Sequence, residues 1–280
     1  MSAPGRRSLA GSIALYATLG ISSVIMLFPI FWTVSTSIKD RVDTFRLPPV
    51  IVGFTPTWKN YQQLFEDPTF IRVMVNTIVV TAGSTIVALL IGSLAAYALA
   101  RAPRFAGRRP LEVSLILLRA MPAVVLVVPL YDVLATVSLL GKMPVLIVLY
   151  AMVNLPFAIW IMTPYFQGIP MELEEAAVID GASGAQVFGR VVFPLALPGV
   201  IATGLFVGLL AWNEFLLPVV LGNEATKTLP VFISGFVSAR TLDWGPLAAA
   251  SSLAIVPIAL LTIAMQGRLV RGLSQGAVKG

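Results

Sequence analysis

The chain has 280 residues, of which 58% are hydrophobic and only 11% are charged. Soluble domains carry about 25% charged residues, so the surplus apolar surface must be covered by lipid or by partner chains. The formal net charge is +6, but the basic residues are spread over several loops, which argues against a nucleic-acid site. Because cysteine and histidine are both absent from the sequence, disulfides, thiolate or imidazole catalysts and ordinary zinc sites are excluded.

Six apolar segments are long enough to cross a bilayer, which requires about 20 mainly apolar residues per helix. We interpret the first of them, which follows Arg6 and Arg7, as a retained span rather than a cleaved signal peptide. Together the segments predict an all-α polytopic membrane protein in which residues 1–280 form a single transmembrane domain. The predicted spans are about 13–33, 70–99, 111–137, 145–166, 195–221 and 247–265.

The predicted orientation depends on one short basic loop. An even number of spans places both termini on the same side of the membrane. The loop at 101–109 carries four arginines close to the ends of two spans, and short basic loops of this kind face the cytoplasm. We therefore expect a multi-pass protein of the cell membrane (the inner or plasma membrane), with both termini in the cytoplasm.

The segment 168–194, between the fourth and fifth spans, is amphipathic and acidic. Gly181 is suited to the left-handed residue that ends a helix, and Ser183 and Gln186 have the spacing of a capping box for the next one. Pro194 is expected to stop that second helix before the fifth span. These features predict a helix–glycine–helix elbow. Its acidic first half favours docking on a protein over an interfacial position on the negatively charged cytoplasmic leaflet.

The elbow also resembles a known motif. The sequences Glu-Ala-Ala at 175–177, Asp-Gly-Ala at 180–182 and Val-Val-Phe-Pro at 191–194 resemble the EAA loop of ATP-binding-cassette (ABC) importer permeases. In that family the loop is a coupling helix that sits in a cleft on the ATPase subunit. The resemblance implies an ATPase-coupling role for eight residues: Glu174, Glu175, Ala176, Ala177, Asp180, Gly181, Ala182 and Pro194.

Two further segments resemble the maltose-type, carbohydrate-importing permeases: Trp-Asn-Glu-Phe at 212–215 and the carboxyl end at 271–280. This resemblance implies a sugar, oligosaccharide or polyol as the substrate. It also implies a second permease subunit, a dimer of ATPase subunits that binds ATP and Mg, and an extracytoplasmic solute-binding protein. No cofactor or metal is expected in this chain itself.

Three polar residues within the predicted spans are candidates for the translocation path: Asn213, Glu214 and Arg119. Ionisable groups are costly inside a membrane, and sugar hydroxyls must exchange water for hydrogen bonds with the protein. Asn213 and Glu214 could instead bond to neighbouring helices and fix their packing, and Arg119 could reach the cytoplasmic interface. The sequence leaves both interpretations open.

The sequence contains no Gly-x-x-x-x-Gly-Lys-Ser/Thr phosphate loop, so we expect ATP hydrolysis in a partner and no catalytic residue in this chain. The main alternative is a secondary transporter driven by an ion gradient, which usually shows inverted repeats and broken helices around an ion site. A third alternative, an intramembrane enzyme, would need a paired acid–base or metal constellation, whereas the chain offers only scattered carboxylates.

Overall fold

The computed structural model describes residues 9–102, 107–237 and 243–277, and confirms the predicted all-α fold. The helices of this described part, in chain order, are α1 (Leu9–Ser37), α2 (Arg41–Thr44), α3 (Lys59–Glu66), α4 (Pro68–Arg101), α5 (Arg108–Ala120), α6 (Ala123–Thr136), α7 (Met143–Gln167), α8 (Glu172–Ile179), α9 (Gly184–Val187), α10 (Phe193–Trp212), α11 (Leu216–Leu221), α12 (Leu229–Ser234) and α13 (Trp244–Ala277). A π-helical segment, Phe188–Val192, joins α9 to α10.

Within the described residues, five helical stretches are long and apolar enough to cross a membrane. A helix satisfies its own backbone hydrogen bonds, which is why an apolar stretch of this length is stable in lipid. Five of the six predicted spans therefore have a counterpart in a long helix. The stretches are Gly11–Ser37, Pro68–Arg101, Met143–Gln167, Gly184–Trp212 and Trp244–Ala264.

The third predicted span, 111–137, is not one helix. The chain breaks between α5 and α6, where Met121 adopts an extended conformation with φ −65° and ψ 132°. The next residue is Pro122, whose ring disfavours helical torsion angles in the residue before it. Only α6, with 14 residues, is apolar among the two pieces, and it is shorter than a full crossing.

The fifth predicted span, 195–221, has different bounds at both ends. Pro194 does not stop the elbow's second helix, because α9, the π-helical segment and α10 form one continuous stretch from Gly184 to Trp212. In the π-helical segment the N–H of Phe193 bonds to the carbonyl of Phe188, five residues back. This wider turn directly before Pro194 accommodates a ring that would clash with the carbonyl of a regular turn.

At its other end the fifth helix stops at Trp212, nine residues before the predicted bound of 221. Residues 213–215 are not helical, and a second short helix, α11, follows them. The carboxylate of Glu214 explains the break. Its Oε1 accepts the backbone N–H groups of Leu216 (2.9 Å) and Leu217 (3.1 Å), so it satisfies the first free donors of α11 as a capping side chain does.

The chain divides into two compact units, Met1–Pro68 with Ile233–Val256, and Thr69–Phe232 with Pro257–Gly280. In the second unit, α10 packs along α7, and α11 packs against α6 and α7. Close approach requires a glycine at one point, since a Cβ on Gly199 of α10 would overlap the ring of Tyr165 in α7. Two buried apolar clusters result, one beside the elbow and one beside α11.

The first unit contains a buried cation, Lys39, which follows the end of α1 and is only 2% exposed. Its ammonium donates to the carbonyl of Val50 (2.6 Å) and lies 4.5 Å and 5.0 Å from the ring centres of Trp32 and Phe54. Burial lowers the pKa of Lys39, and the nearby Asp43 carboxylate opposes that change. A buried cation is thus held by a carbonyl and two aromatic faces rather than by a contacting carboxylate.

Candidate coupling site

The elbow has the local structure that its sequence predicts. Gly181 has φ +87°, in the left-handed region that other residues rarely adopt. The N–H groups of Gly181 and Ala182 bond to the carbonyls of Val178 and Ala177, each at 2.9 Å, which is the hydrogen-bond pattern of a Schellman motif. The turn after α8 is therefore set by a glycine that few other residues could replace.

The second arm of the elbow begins with the predicted capping box. The Oε1 of Gln186 accepts the backbone N–H of Ser183 at 2.8 Å, and Ser183 is the residue immediately before α9. This pairing satisfies donors that the first turn of a helix otherwise leaves free. Both sides of the turn are therefore closed by local hydrogen bonds.

The outer surface of the elbow is exposed and partly apolar. Ile179 is 85% exposed, and Glu175, Ala176 and Asp180 are also exposed. Large exposed apolar side chains in this number mark an interaction surface, whether with protein or with lipid. We call this surface the outer face of α8, and its exposed apolar members are Met171, Leu173, Val178 and Ile179.

Ala177 and Ala182 face the other way and are partly buried against the cluster beside the elbow. The eight residues predicted to couple to an ATPase therefore do not form one surface. Four of them, Glu175, Ala176, Asp180 and Gly181, are exposed around the turn, and Pro194 is an exposed residue in the first turn of α10.

Glu174 is buried, unlike the neighbouring Glu175. Its Oε2 accepts the hydroxyl of Tyr97 at 2.6 Å, and its Oε1 accepts the Nε–H of Arg101, also at 2.6 Å. The Nη2 of Arg101 also donates to the carbonyl of Ile169 at 3.0 Å, in the turn that leads into α8. Glu174 thus fixes α8 to the end of α4 and does not belong to the outer face.

Sequence reasoning used Arg101 only as a topology signal and did not consider Tyr97. Both lie in the last two turns of α4, four residues apart and hence on one side of the helix. That spacing is the signal that the sequence offered. It does not identify a partner, because Glu174 lies 73 residues further along the chain than Arg101.

The three candidates for the translocation path have different surroundings. Asn213 is exposed, and its amide donates to the carbonyl of Leu209 at 2.8 Å, in the last turn of the preceding α10. Glu214 is half-buried and caps α11, as described above. The backbone of Arg119 belongs to α5, but its side chain lies outside the described residues. Asn213 and Glu214 are adjacent in the chain, but their side chains bond to different helices, α10 and α11.

A chain built from long apolar helices, with a structured elbow between the fourth and fifth of its predicted crossings, belongs to the class of polytopic α-helical membrane proteins. A family model described as the binding-protein-dependent transport system inner membrane component matches residues 88–275. The chain belongs to this family, the membrane-spanning permeases of ABC importers, in which the ATPase is a separate subunit.

Individual relatives agree with the family match. The chain is 34% identical over 276 residues to the diacetylchitobiose uptake system permease protein DasC of Streptomyces coelicolor, covering 98% of this chain and 100% of the relative. It is 35% identical over 259 residues to the trehalose transport system permease protein SugB of Mycobacterium tuberculosis, covering 91% and 93%. None of this supports the ion-gradient alternative.

A solved structure shares the fold. A chain of a bacterial ABC transporter involved in the import of the acidic polysaccharide alginate superposes with a TM-score of 0.78. The alignment covers 95% of this chain and 99% of that chain at 23% sequence identity. At that identity the likeness shows the fold.

Proposed function

We propose that this ABC importer permease carries a sugar, oligosaccharide or polyol. Two observations support the substrate class: the sequence Trp-Asn-Glu-Phe at 212–215, and relatives named for the uptake of diacetylchitobiose and trehalose. In this proposal the chain forms half of the translocation path, and a second permease subunit forms the other half. ATP and Mg bind to a dimer of ATPase subunits, an extracytoplasmic binding protein delivers the solute, and this chain has no catalytic residue or cofactor.

The elbow is the part of the chain that we assign to the ATPase. The observation that carries this assignment is the outer face of α8, which presents Val178 and Ile179 to the surroundings beside the exposed Glu175 and Asp180. Acidic groups disfavour a negatively charged membrane surface, whereas a protein cleft can bury the apolar side chains. Both termini and the elbow would then lie in the cytoplasm, on the inner side of the cell membrane.

The whole chain would act as one permease domain with six crossings. The third crossing would combine α5 and α6, since α6 alone is too short to span the hydrocarbon core. Asn213, exposed at the break in the fifth crossing, supports a role for that break in the translocation path. Glu214 would shape the break through its bonds to the α11 backbone, and Arg119 stays a candidate in α5.

The substitution Gly181→Val tests the coupling assignment. Gly181 is held at φ +87°, and no atom beyond its two chain neighbours lies within 4 Å of a Cβ added there, so the substitution acts through backbone strain and not through a clash. We expect normal membrane insertion but an about tenfold loss of ATPase-subunit binding, the factor that corresponds to ~1.4 kcal/mol. The measurement is co-purification of the ATPase subunits, followed by ATP hydrolysis stimulated by sugar-loaded binding protein.

Gly184→Val is the matched control, because Gly184 is also in open space but has an ordinary helical conformation. It should bind the ATPase subunits as the wild-type chain does. Wild-type coupling by Gly181→Val, or equal losses in the two variants, would refute the assignment of the elbow. A wild-type complex that no sugar-loaded binding protein stimulates would refute the substrate class.

A further inference from the structure

The contacts on the inner side of α8 form a small buried network, which we call the α4 joint and define as Tyr97, Arg101 and Glu174. Each oxygen of the Glu174 carboxylate accepts a separate donor, one from Tyr97 and one from Arg101. Arg101 is also paired with Glu174 as a salt bridge, and the side chains of Arg101 and Glu174 are only 14% and 11% exposed. A shielded pair with several charge-assisted bonds holds its geometry far better than a surface pair.

The second arm of the elbow reaches the same joint through aromatic rings. The ring of Phe188, the first residue of the π-helical segment, lies 5.1 Å from the ring of Tyr97. Phe166 of α7 contacts both rings, at 5.9 Å and 6.3 Å. Tyr97 therefore touches both arms of the elbow, α8 through its hydroxyl and the helix after α9 through its ring.

The other end of the same helix is attached to a loop. Near the start of α4, the amide of Asn76 donates to the carbonyls of Ala225 (2.8 Å) and Lys227 (2.9 Å). Asn76 and Arg101 lie in one unbroken helix of 34 residues, and at 1.5 Å of rise per residue they are about 38 Å apart. A helix of this kind is a rigid element, and rigid elements carry displacement between distant sites.

We propose that Tyr97, Arg101 and Glu174 are positioning residues that transmit movement of the elbow to α4 and so to the loop at 225–227. The inference rests on the proposed function, in which an ATPase moves the elbow. Along the covalent chain, α8 is separated from α4 by α5, α6 and α7. The joint provides the direct route, and it makes the opposite end of the permease respond to the ATPase.

Two conservative substitutions test the joint in the assembled complex. Glu174→Gln removes the charge but keeps the size, and Tyr97→Phe removes only the hydroxyl and keeps the ring contacts. We expect the number of sugar molecules transported per ATP hydrolysed in proteoliposomes to fall about tenfold in each, within the range reported for coupling contacts. Glu172→Gln is the matched control, since Glu172 is an exposed glutamate of the same helix, and it should keep the wild-type ratio.

A second measurement does not depend on the sugar. The sequence has no cysteine, so the exposed Val75 beside Asn76 can be replaced by a uniquely labelled residue, Val75→Cys, carrying a fluorophore. Adding ATP to the complex should change the fluorescence at this far end of α4. The change should be lost in Glu174→Gln and kept in the control Glu172→Gln.

Several outcomes overturn the proposal. They are a wild-type ratio of transport to hydrolysis in Glu174→Gln and Tyr97→Phe, equal losses of transport and hydrolysis with an unchanged ratio, or an intact fluorescence change in Glu174→Gln. A wild-type complex that shows the ATP-dependent change but moves no sugar would contradict the proposed substrate and leave the joint supported. Failure of the ATPase subunits to bind the wild-type chain would contradict both.

Discussion

The two ends of α4 are attached to their neighbours by opposite chemistry. At the Arg101 end, a guanidinium and a phenol both donate to one carboxylate, the side chain of Glu174 in α8. At the Asn76 end the groups are neutral, and they bind backbone. Asn76 donates to two loop carbonyls, and the hydroxyl of Thr77 accepts the N–H of Leu229 at 2.8 Å.

The loop at 222–228 is also stabilised by hydrogen bonds between its own residues. The Oδ1 of Asn223 accepts the N–H groups of Ala225 (3.0 Å) and Thr226 (3.1 Å), which stabilises the turn independently of its contact with α4. Bonds to backbone fix the path of the loop, whereas the position of α8 depends on a shielded carboxylate and its donors. The comparison indicates a charged attachment at the elbow end of α4 and a neutral one at the loop end.

The largest expected loss of stability comes from breaking the ion pair between Arg101 and Glu174. Arg101→Met leaves Glu174 buried without its cation, and the free energy of unfolding should fall by about 3 kcal/mol, as for other broken buried pairs. Adding Glu174→Met should restore most of that loss, because two apolar side chains have no uncompensated charge. Unfolding of the purified chain in mixed micelles measures both, and an equally unstable double variant would show that the attachment is not electrostatic.

Removing the neutral hydrogen bonds at the Asn76 end of α4 should lower the free energy of unfolding less. Asn76→Ala removes two hydrogen bonds to carbonyls of the loop, and we expect a loss of about 2 kcal/mol by the same measurement. Asn213→Ala is the control, because Asn213 is exposed and its amide bonds to a carbonyl only four residues earlier, that of Leu209. It should change the free energy of unfolding little. No combination with a second apolar substitution should rescue Asn76→Ala, since its partners are backbone groups.

The smallest expected change in the free energy of unfolding involves Lys39, which lies in the other compact unit. Its ammonium contacts a backbone carbonyl and two aromatic rings. Burial lowers the pKa of this lysine from its usual 10.5, so above the lowered value the folded chain binds fewer protons than the unfolded chain. Stability should therefore rise as the pH increases toward 10.5. Thermal unfolding from pH 8 upward should show this rise in the wild-type chain and not in Lys39→Met. Identical pH profiles would mean that the unfolding transition does not sense Lys39.

Local features of the elbow could be predicted from the sequence because they depend on residues close together in the chain. The left-handed Gly181 and the Ser183–Gln186 box are both observed. The break at Pro122 is not predicted, because a proline inside an apolar run can either kink a span or end it. Its signal is local, but it does not distinguish these two outcomes. The continuous helix through Pro194 was misjudged because it depends on a π turn that hydropathy does not report.

By itself the sequence determined that this protein is helical, crosses a membrane and carries an elbow of the importer type, because hydropathy, turn residues and capping pairs act over a few residues. Only the tertiary structure decided which of two adjacent glutamates is exposed. Successive residues point about 100° apart on a helix, so Glu174 and Glu175 differ only in what each one meets. Glu174 meets Arg101 and Tyr97, which come from a distant part of the chain, and that packing turns a glutamate of the docking segment into an internal attachment.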